Sequence, residues 1–375
     1  MRRFDYLVVG SGIAGASIAS ELAASASVLV VEREEGHGYH TTGRSAAMFI
    51  ESYGNAWVRR LTGASRGFFD TPPGGFCSQP LLKRRGCLTV ARRDQRPALD
   101  ARAADIGATG SGMREISGRD ALAMAPILRP EAVSRAIFEP DSSDIDTHGL
   151  HAGYLRLARA RGADLQLNAG VERIERRPEG WRVTLTGGDT AEARVIVNAA
   201  GAWADQVAEM AGASPLGLTP RRRTVILIDP PAGPAIEPWP TVIDIDEQFY
   251  FKPESGRLLA SPADETPSAP GDAAPEEYDI AVWRRSIQTA TTLSINHVRR
   301  SWAGLRTFAP DRTPVFGYDP DIAGFFWFAG QGGYGMQTAP AAARLGAALA
   351  LEREIPSDLG ERGLGPAPFS PARWR

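Results

Sequence analysis

The sequence predicts an α/β protein, with a parallel, Rossmann-like sheet joined to a second, mostly antiparallel β domain. Three observations predict it. Residues 4–9, 10–15 and 16–23 read as strand, Gly-x-Gly-x-x-Gly turn and helix. Residues 325–329, 330–335 and 338–351 repeat that order near the other end of the chain. Between 213 and 300, proline, threonine and aromatic residues alternate, as in Trp239, Phe249, Tyr250 and Phe251, which is the pattern of antiparallel strands with long connections.

The opening motif has a physical reading at each position. Gly10 permits a tight turn out of the strand, Gly12 lets the backbone approach a pyrophosphate, and Gly15 lets the helix pack on the sheet. The helix that follows the turn offers free N–H groups and a positive dipole end to phosphate. A second apolar run, 27–31, ends at Glu32, where an acid accepts hydrogen bonds from a ribose. A glycine turn alone is weak evidence. With both strands, the helix and the acid it predicts a Rossmann-like dinucleotide site.

Residues 33–47 follow as a polar, glycine-containing loop. Residues 55–70 carry apolar side chains at Trp57, Val58, Leu61, Phe68 and Phe69, the spacing of a helix. Strands are expected at 86–90 and 136–138, a short helix ending before Pro126, and a turn at 141–144. Thr147 is placed as the cap of a helix that stops at Gly162. A strand at 164–168, a hairpin over 171–185 turning at Pro178-Glu179-Gly180, and a strand at 195–197 follow. The last runs into Asn198-Ala199-Ala200-Gly201-Ala202-Trp203, a second close approach to a ligand or ordinary strand-to-helix packing. The proline-rich tail after Pro356 is expected to be peripheral.

Composition bounds the rest. With 375 residues, 43% hydrophobic and 23% charged, the chain fits one large or two smaller globular domains. A net charge of −2 argues against a nucleic-acid partner. Cys77 and Cys87 make no disulfide framework, so a reducing cytoplasm is the default. Met1, Arg2 and Arg3 before a short apolar run imitate a secretory signal, but that run carries the glycine motif itself. No apolar stretch reaches the length of a membrane span. None of His37, His40, His148, His151 and His297 has the spacing of a zinc site, and no metal is expected.

At this point the chain resembles the D-amino acid oxidase and glycine oxidase family of flavoproteins, and within it the bacterial D-arginine dehydrogenase branch. The resemblance spans nearly the whole chain. It is carried by residues 10–15 with Glu32 and Arg33, by 40–47, by 198–203, by Trp302-Ala303-Gly304-Leu305-Arg306, and by Gln331-Gly332-Gly333-Tyr334-Gly335. It implies a glutathione-reductase-like FAD domain over 1–82, 147–212 and 301–375, and a substrate domain over 83–146 and 213–300.

The resemblance also implies non-covalent FAD, since no cysteine follows Cys87. Gly10, Gly12, Ile13, Ala14, Gly15, Glu32 and Arg33 would hold the ADP half. Thr41, Thr42, Gly43, Arg44, Ser45, Ala46, Ala47 and Met48 would run along the flavin, with Val171, Ala200, Gly201 and Trp203 around the nucleotide. Gly332, Gly333, Tyr334, Gly335, Met336 and Gln337 would approach the ring from the C-terminal turn. For substrate, Arg306 with Arg223 and Tyr250 would clamp a carboxylate. Tyr53 would act as a lid, and the Gly333 carbonyl would accept from the substrate amine.

The implied reaction is hydride transfer from a D-amino acid to FAD, with a quinone or dye rather than oxygen as acceptor, in the cytoplasm or against the inner membrane. From the residues alone, Arg221-Arg222-Arg223 reads as well as a solvated basic run, and Tyr250 as a packed strand residue. A 2-hydroxy acid or N-methyl amino acid would suit the same clamp. A flavin-bearing tRNA-modification or binding protein and an NAD enzyme are the remaining alternatives. Two positions depart from the branch, which carries histidine where this chain has Met48 and glutamate where it has Cys87. With Thr241 and Ile243 they would make a largely apolar side-chain wall, favouring neutral D-amino acids. A cationic substrate would need Asp244 or Glu51 to turn inward.

Overall fold

The computed structural model describes residues 3–107, 112–233, 235–295 and 297–374. Met1 and Arg2, read above as part of a signal-like start, lie outside them. Among the described residues the first sheet has a parallel core in the order Phe325–Ala329, Thr190–Asn198, Arg3–Val9, Val28–Val31, Asp164–Gln166. Val28–Val31 and Phe325–Ala329 are buried along their whole length. Parallel strands covered on both faces read as continuous apolar runs for this reason. Arg3–Val9 pairs with a later strand on each side, so the strand order reverses there. In open parallel sheets that reversal leaves a crevice at the carboxyl ends. The hairpin Val171–Arg177 and Gly180–Leu185 joins antiparallel to one flank.

Helices Ile13–Leu22 and Gly335–Ala350 share a core on one face with Phe316, Phe326, Phe328 and Phe369. A Cβ at Gly15 would lie 1.8 Å from the Gly10 carbonyl oxygen, so the first helix sits on its own turn.

The second sheet runs Val298–Phe308, Thr219–Ile228, Arg257–Ser261, Tyr250–Glu254, Thr241–Asp244, Cys87–Ala91, Arg135–Glu139, Arg114–Ser117. Its pairings are antiparallel except Thr241–Asp244 beside Cys87–Ala91. A small third sheet of Met48–Phe49, Ser143–Ile145 and Leu82–Arg84 lies between them in sequence and carries Met48.

Several expectations need correction. Residues 141–144 are not simply a turn, because Ser143–Ile145 pairs on both sides as a strand. Thr147 is the first helical residue and not the cap. Asp146 caps, accepting from the Gly149 amide at 2.8 Å. The 213–300 segment contains a helix, Glu277–Ala290, whose Trp283 and Ile287 are fully buried against the second sheet. The strand Val298–Phe308 belongs whole to the second sheet, so a domain boundary at 301 would cut it. The tail is not peripheral: Leu359, Leu364 and Phe369 are buried in the main core, and Phe369 stacks on Phe316 at 5.2 Å.

Phe369→Ala should therefore destabilise the fold by about 3–5 kcal/mol, the usual cost of emptying a buried aromatic site. Urea unfolding reads this as a lower midpoint with unchanged slope. A midpoint equal to wild type would show that the tail is dispensable.

Candidate active site

The carboxyl ends of Arg3–Val9 and Val28–Val31 set the nucleotide end. Gly10 has φ +95°, and a Cβ there would lie 2.7 Å from the Ala199 carbonyl oxygen. No side chain caps the helix at Gly12, and the Ile13 amide donates to Thr42 Oγ1 at 2.9 Å. Glu32 accepts from the Ser11 amide at 2.9 Å, the Ser11 hydroxyl at 2.8 Å and the Glu34 amide at 3.1 Å, which fixes its carboxylate. Arg33 lies over the Trp203 ring at 5.1 Å, and His40 packs on that ring at 4.7 Å.

Two histidines hold the same turn. His151 Nε2 donates to the Ser11 carbonyl at 2.7 Å. Because the Ser11 hydroxyl already donates to Glu32, His37 Nδ1 donates to it at 2.9 Å. His37 Nε2 then accepts from Arg159 at 3.1 Å. Both rings are neutral in this network.

A cavity of about 790 Å³ extends from Gly10, Gly12 and Glu32 past Thr41 and Ala47 to Tyr53, Tyr250 and Arg306. A glycine turn borders it at each end of the chain, and one end offers an open helix N-terminus. These residues fit FAD. Ile13, Ala14, Arg33, Thr42, Ser45, Ala46, Met48, Val171, Ala200, Gly201, Trp203, Gly332, Gly333, Gly335, Met336 and Gln337 also line it.

Four residues expected at the cofactor do not line the cavity. Gly15 packs on Gly10 as above. Gly43 closes a turn, its amide donating to the Gly38 carbonyl at 2.7 Å. Arg44 turns outward to Asp272 and to the carbonyls of Ala273 at 3.0 Å and Ala303 at 3.1 Å. Tyr334 is buried against Phe308 and Tyr53, and its phenol is pushed up to about 12, first by burial.

At the substrate end Arg306 is the central group. Its Nη1 donates to the Tyr53 hydroxyl at 3.4 Å. Among the described residues no carboxylate reaches it within salt-bridge distance. Burial works to lower its pKa, but Tyr53, Tyr250, Glu265 and Glu247 more than offset that, so the guanidinium stays charged. A Cβ at Gly333 would lie 2.9 Å from Arg306 Nη1, so this glycine is the floor under the guanidinium. Arg223 also lines the cavity, though its Nε donates to the Asp264 carbonyl at 2.9 Å and its Nη2 to Glu265 at 3.2 Å.

The wall contains Met48, Thr241 and Ile243, and the Thr241 hydroxyl donates to Met48 Sδ at 2.7 Å. Cys87 does not line it. Cys87 is buried one strand beyond Thr241, in register with Thr241 on one side and Glu139 on the other, and burial pushes its thiol up. Asp244 is held by Gln95 at 3.2 Å and by the Asp246 amide at 2.9 Å, and Glu51 by Arg66 at 2.9 Å. Neither faces the cavity.

Sequence reasoning missed two charged wall residues, Lys252 and Glu247. Lys252 is buried, and its ammonium bonds Asp144 and Glu254, each at 2.8 Å. It lies two residues after Tyr250 on one strand, so the period of two could have found it. Glu247, on the turn before that strand with φ +54°, carried no such signal.

A family model described as FAD dependent oxidoreductase matches residues 5–349. Glycine oxidase from Geobacillus kaustophilus (strain HTA426) is 24% identical over 396 residues, covering 99% of this chain and 97% of that protein. FAD-dependent oxidoreductase domain-containing protein 1 from Bos taurus is 33% identical over 178 residues, 43% of this chain, but the match spans only 36% of that protein. Among solved structures, glycine oxidase from Geobacillus kaustophilus superposes with a TM-score of 0.85 at 24% identity, covering 100% of this chain and 99% of that one. L-proline dehydrogenase from P. horikoshii does so with 0.83 at 20%, covering 100% and 98%.

The histidine pair predicts a pH dependence. Burial first, and then the charge of Arg159 at His37 and of His148 at His151, holds both below the usual histidine value of 6.5. A depressed folded-state pKa contributes stability above 6.5 that is lost as pH falls through the folded values. Between about pH 7 and about pH 5 the wild-type Tm should fall, and in His37→Gln/His151→Gln it should fall less. Parallel Tm curves for the two proteins would refute the assignment.

Proposed function

The chain belongs to the DAO family of FAD-dependent oxidoreductases and binds FAD, and from that premise we propose that it oxidises neutral D-amino acids to imino acids. The observation that carries this reading is Arg306, a charged guanidinium on the cavity wall with no carboxylate of its own. A guanidinium matches a substrate carboxylate with two parallel hydrogen bonds. Tyr53 and Tyr250 offer phenol donors on the same wall, and the Gly333 carbonyl accepts from the substrate amine. FAD, when bound, supplies the acceptor for the hydride leaving the substrate Cα. The residues around it orient that C–H, and positioning is most of what such a transfer requires. The imino acid takes up water after release, giving a 2-keto acid and ammonia. A quinone or dye, rather than oxygen, is the proposed final acceptor.

The preference for neutral side chains rests on the wall. Met48, Thr241 and Ile243 are apolar or already paired, Lys252 and Arg223 are cations, and Asp244 and Glu51 are engaged elsewhere. A long cationic side chain entering there would shed water without a partner, which is costly. Glu247 at the same wall favours a second reading, in which it receives a cationic side chain. A glutamate introduced at Cys87 would start one strand away from the cavity wall. It would lie beside Glu139, whose carboxyl burial already pushes up.

Arg306→Met should keep FAD and lose about 3 kcal/mol in kcat/KM, roughly a hundredfold, the scale of a lost charge-assisted pair. Near-normal kinetics would remove Arg306 from the clamp. On anaerobic flavin bleaching, D-leucine and D-methionine should exceed D-arginine in wild type. D-Arginine in front, with the advantage lost in Glu247→Gln, would establish the second reading instead. Bleaching by L-amino acids, 2-hydroxy acids or N-methyl amino acids alone would overturn the D-amino acid assignment.

A further inference from the structure

Four arginines meet at the substrate end, and one loop residue sorts them. Arg221 and Arg306 are register partners on adjacent strands, and Arg223 lies one pair along on the same face, diagonal to Arg306. Diagonal neighbours in an antiparallel pair are within reach of long side chains. Arg312 approaches from the turn after Phe308, with φ +60° and its guanidinium 3.9 Å from the Phe308 ring centroid. Of the four, Arg223 and Arg306 line the cavity, and left to themselves these two would make it a two-cation site.

Glu265 engages three of the four. Its backbone carbonyl accepts from Arg221 Nη1 at 3.0 Å. Its carboxylate accepts from Arg312 at two points, both 2.9 Å, and from Arg223 Nη2 at 3.2 Å. Burial tends to raise the Glu265 pKa, but Arg312, Arg223 and Arg306 more than offset it, so the carboxylate stays ionised. The Asp264 carbonyl takes Arg223 Nε, which turns the guanidinium toward the loop. Arg306 alone keeps its charge unmatched toward the cavity.

We propose that Glu265 is a positioning residue that sets the charge of the anion the site accepts. By drawing Arg223 and Arg312 to itself, it leaves a clamp of one free cation, suited to substrates with a single negative charge. This rests on the carboxylate-clamp reading above and extends it to substrate class. The pocket admits monocarboxylates such as D-leucine and rejects dicarboxylates such as D-glutamate, although Arg223 and Lys252 stand on its wall. Removing the Glu265 charge frees Arg223 to join Arg306, and the pocket becomes a two-cation site for dianions.

The test uses the FAD-loaded protein, with acetate and malonate as single- and double-charged probes, each titrated through its perturbation of the flavin absorbance. In wild type, malonate should bind no more than about threefold tighter than acetate. In Glu265→Gln, whose amide keeps the shape and removes the charge, malonate should gain about tenfold relative to acetate, the order of one added charge contact near a partly buried site. The kcat/KM ratio of D-glutamate to D-leucine should rise with it, chiefly through KM, and Glu265→Asp should return both ratios toward wild type. An effect on folding alone would weaken both probes equally and leave the ratio unmoved, and that result overturns the proposal. So does a wild-type protein that already prefers malonate by tenfold, an arm that stands even if the variant fails to hold FAD. If no D-amino acid bleaches the flavin, the substrate assignment falls, while the acetate and malonate comparison still reads the charge of the clamp.

Discussion

The site depends on a set of hydrogen bonds between the cofactor loop and the last long strand of the second sheet. Thr41 Oγ1 donates to the Leu305 carbonyl at 2.6 Å, Arg44 to the Ala303 carbonyl at 3.1 Å, and Trp302 Nε1 to the Arg44 carbonyl at 3.0 Å. Arg306 follows Leu305 directly. The spacing between the 41–44 loop and Arg306 is therefore tied by hydrogen bonds to backbone carbonyls as well as by apolar packing. Directional bonds give tighter spacing than apolar packing, which tolerates sliding. The C-terminal turn adds a third tie where the Gly332 amide donates to the Thr307 carbonyl at 2.9 Å.

Charge at this end follows a consistent pattern. Lys252 is matched by Asp144 and Glu254, Arg85 by Asp144, and Arg222 by Glu276 and Asp279. Unmatched charge in a partly buried wall is expensive, so it persists only where a ligand completes it. The ties also join layers: Lys252–Asp144 links the substrate sheet to the small sheet that carries Met48. The wall of Met48, Thr241 and Ile243 is thus braced by the ion pairs of Lys252, which lines the cavity beside them.

Much of the fold was legible because its signals are local. The glycine turn at 10–15 and the run 325–329 appear where the sequence places them, since parallel buried strands leave unbroken apolar stretches. The helix Glu277–Ala290 was legible and was passed over: Ile280, Trp283 and Ile287 recur at helical spacing, but they sit inside a proline-rich segment read as strands throughout. Most residues that the glycine motif and the family resemblance set at the cofactor do line the cavity. The substrate wall was less legible. Cys87 fails as a wall residue because its strand lies one place beyond that of Thr241 in the sheet, and strand order is a tertiary fact. Glu265 carried no signal either, since its carboxylate partners Arg223 and Arg312 are 42 and 47 residues away in sequence.

The contact between Gly333 and Arg306 divides the pocket into a part that can vary and a part that cannot. Any side chain at 333 would push against the same guanidinium nitrogen that donates to Tyr53. The anchor for the common end of the substrate is thereby closed to gradual change, since even one added methyl displaces it. Met48 stands on the small third sheet, and Thr241 and Ile243 on a short strand four places along the sheet from that of Arg306, so they can be exchanged without touching that anchor. A library aimed at new side-chain scope belongs on those three positions with 333 left as glycine, and a scaffold of this kind can diversify its substrates while its chemistry stays in place.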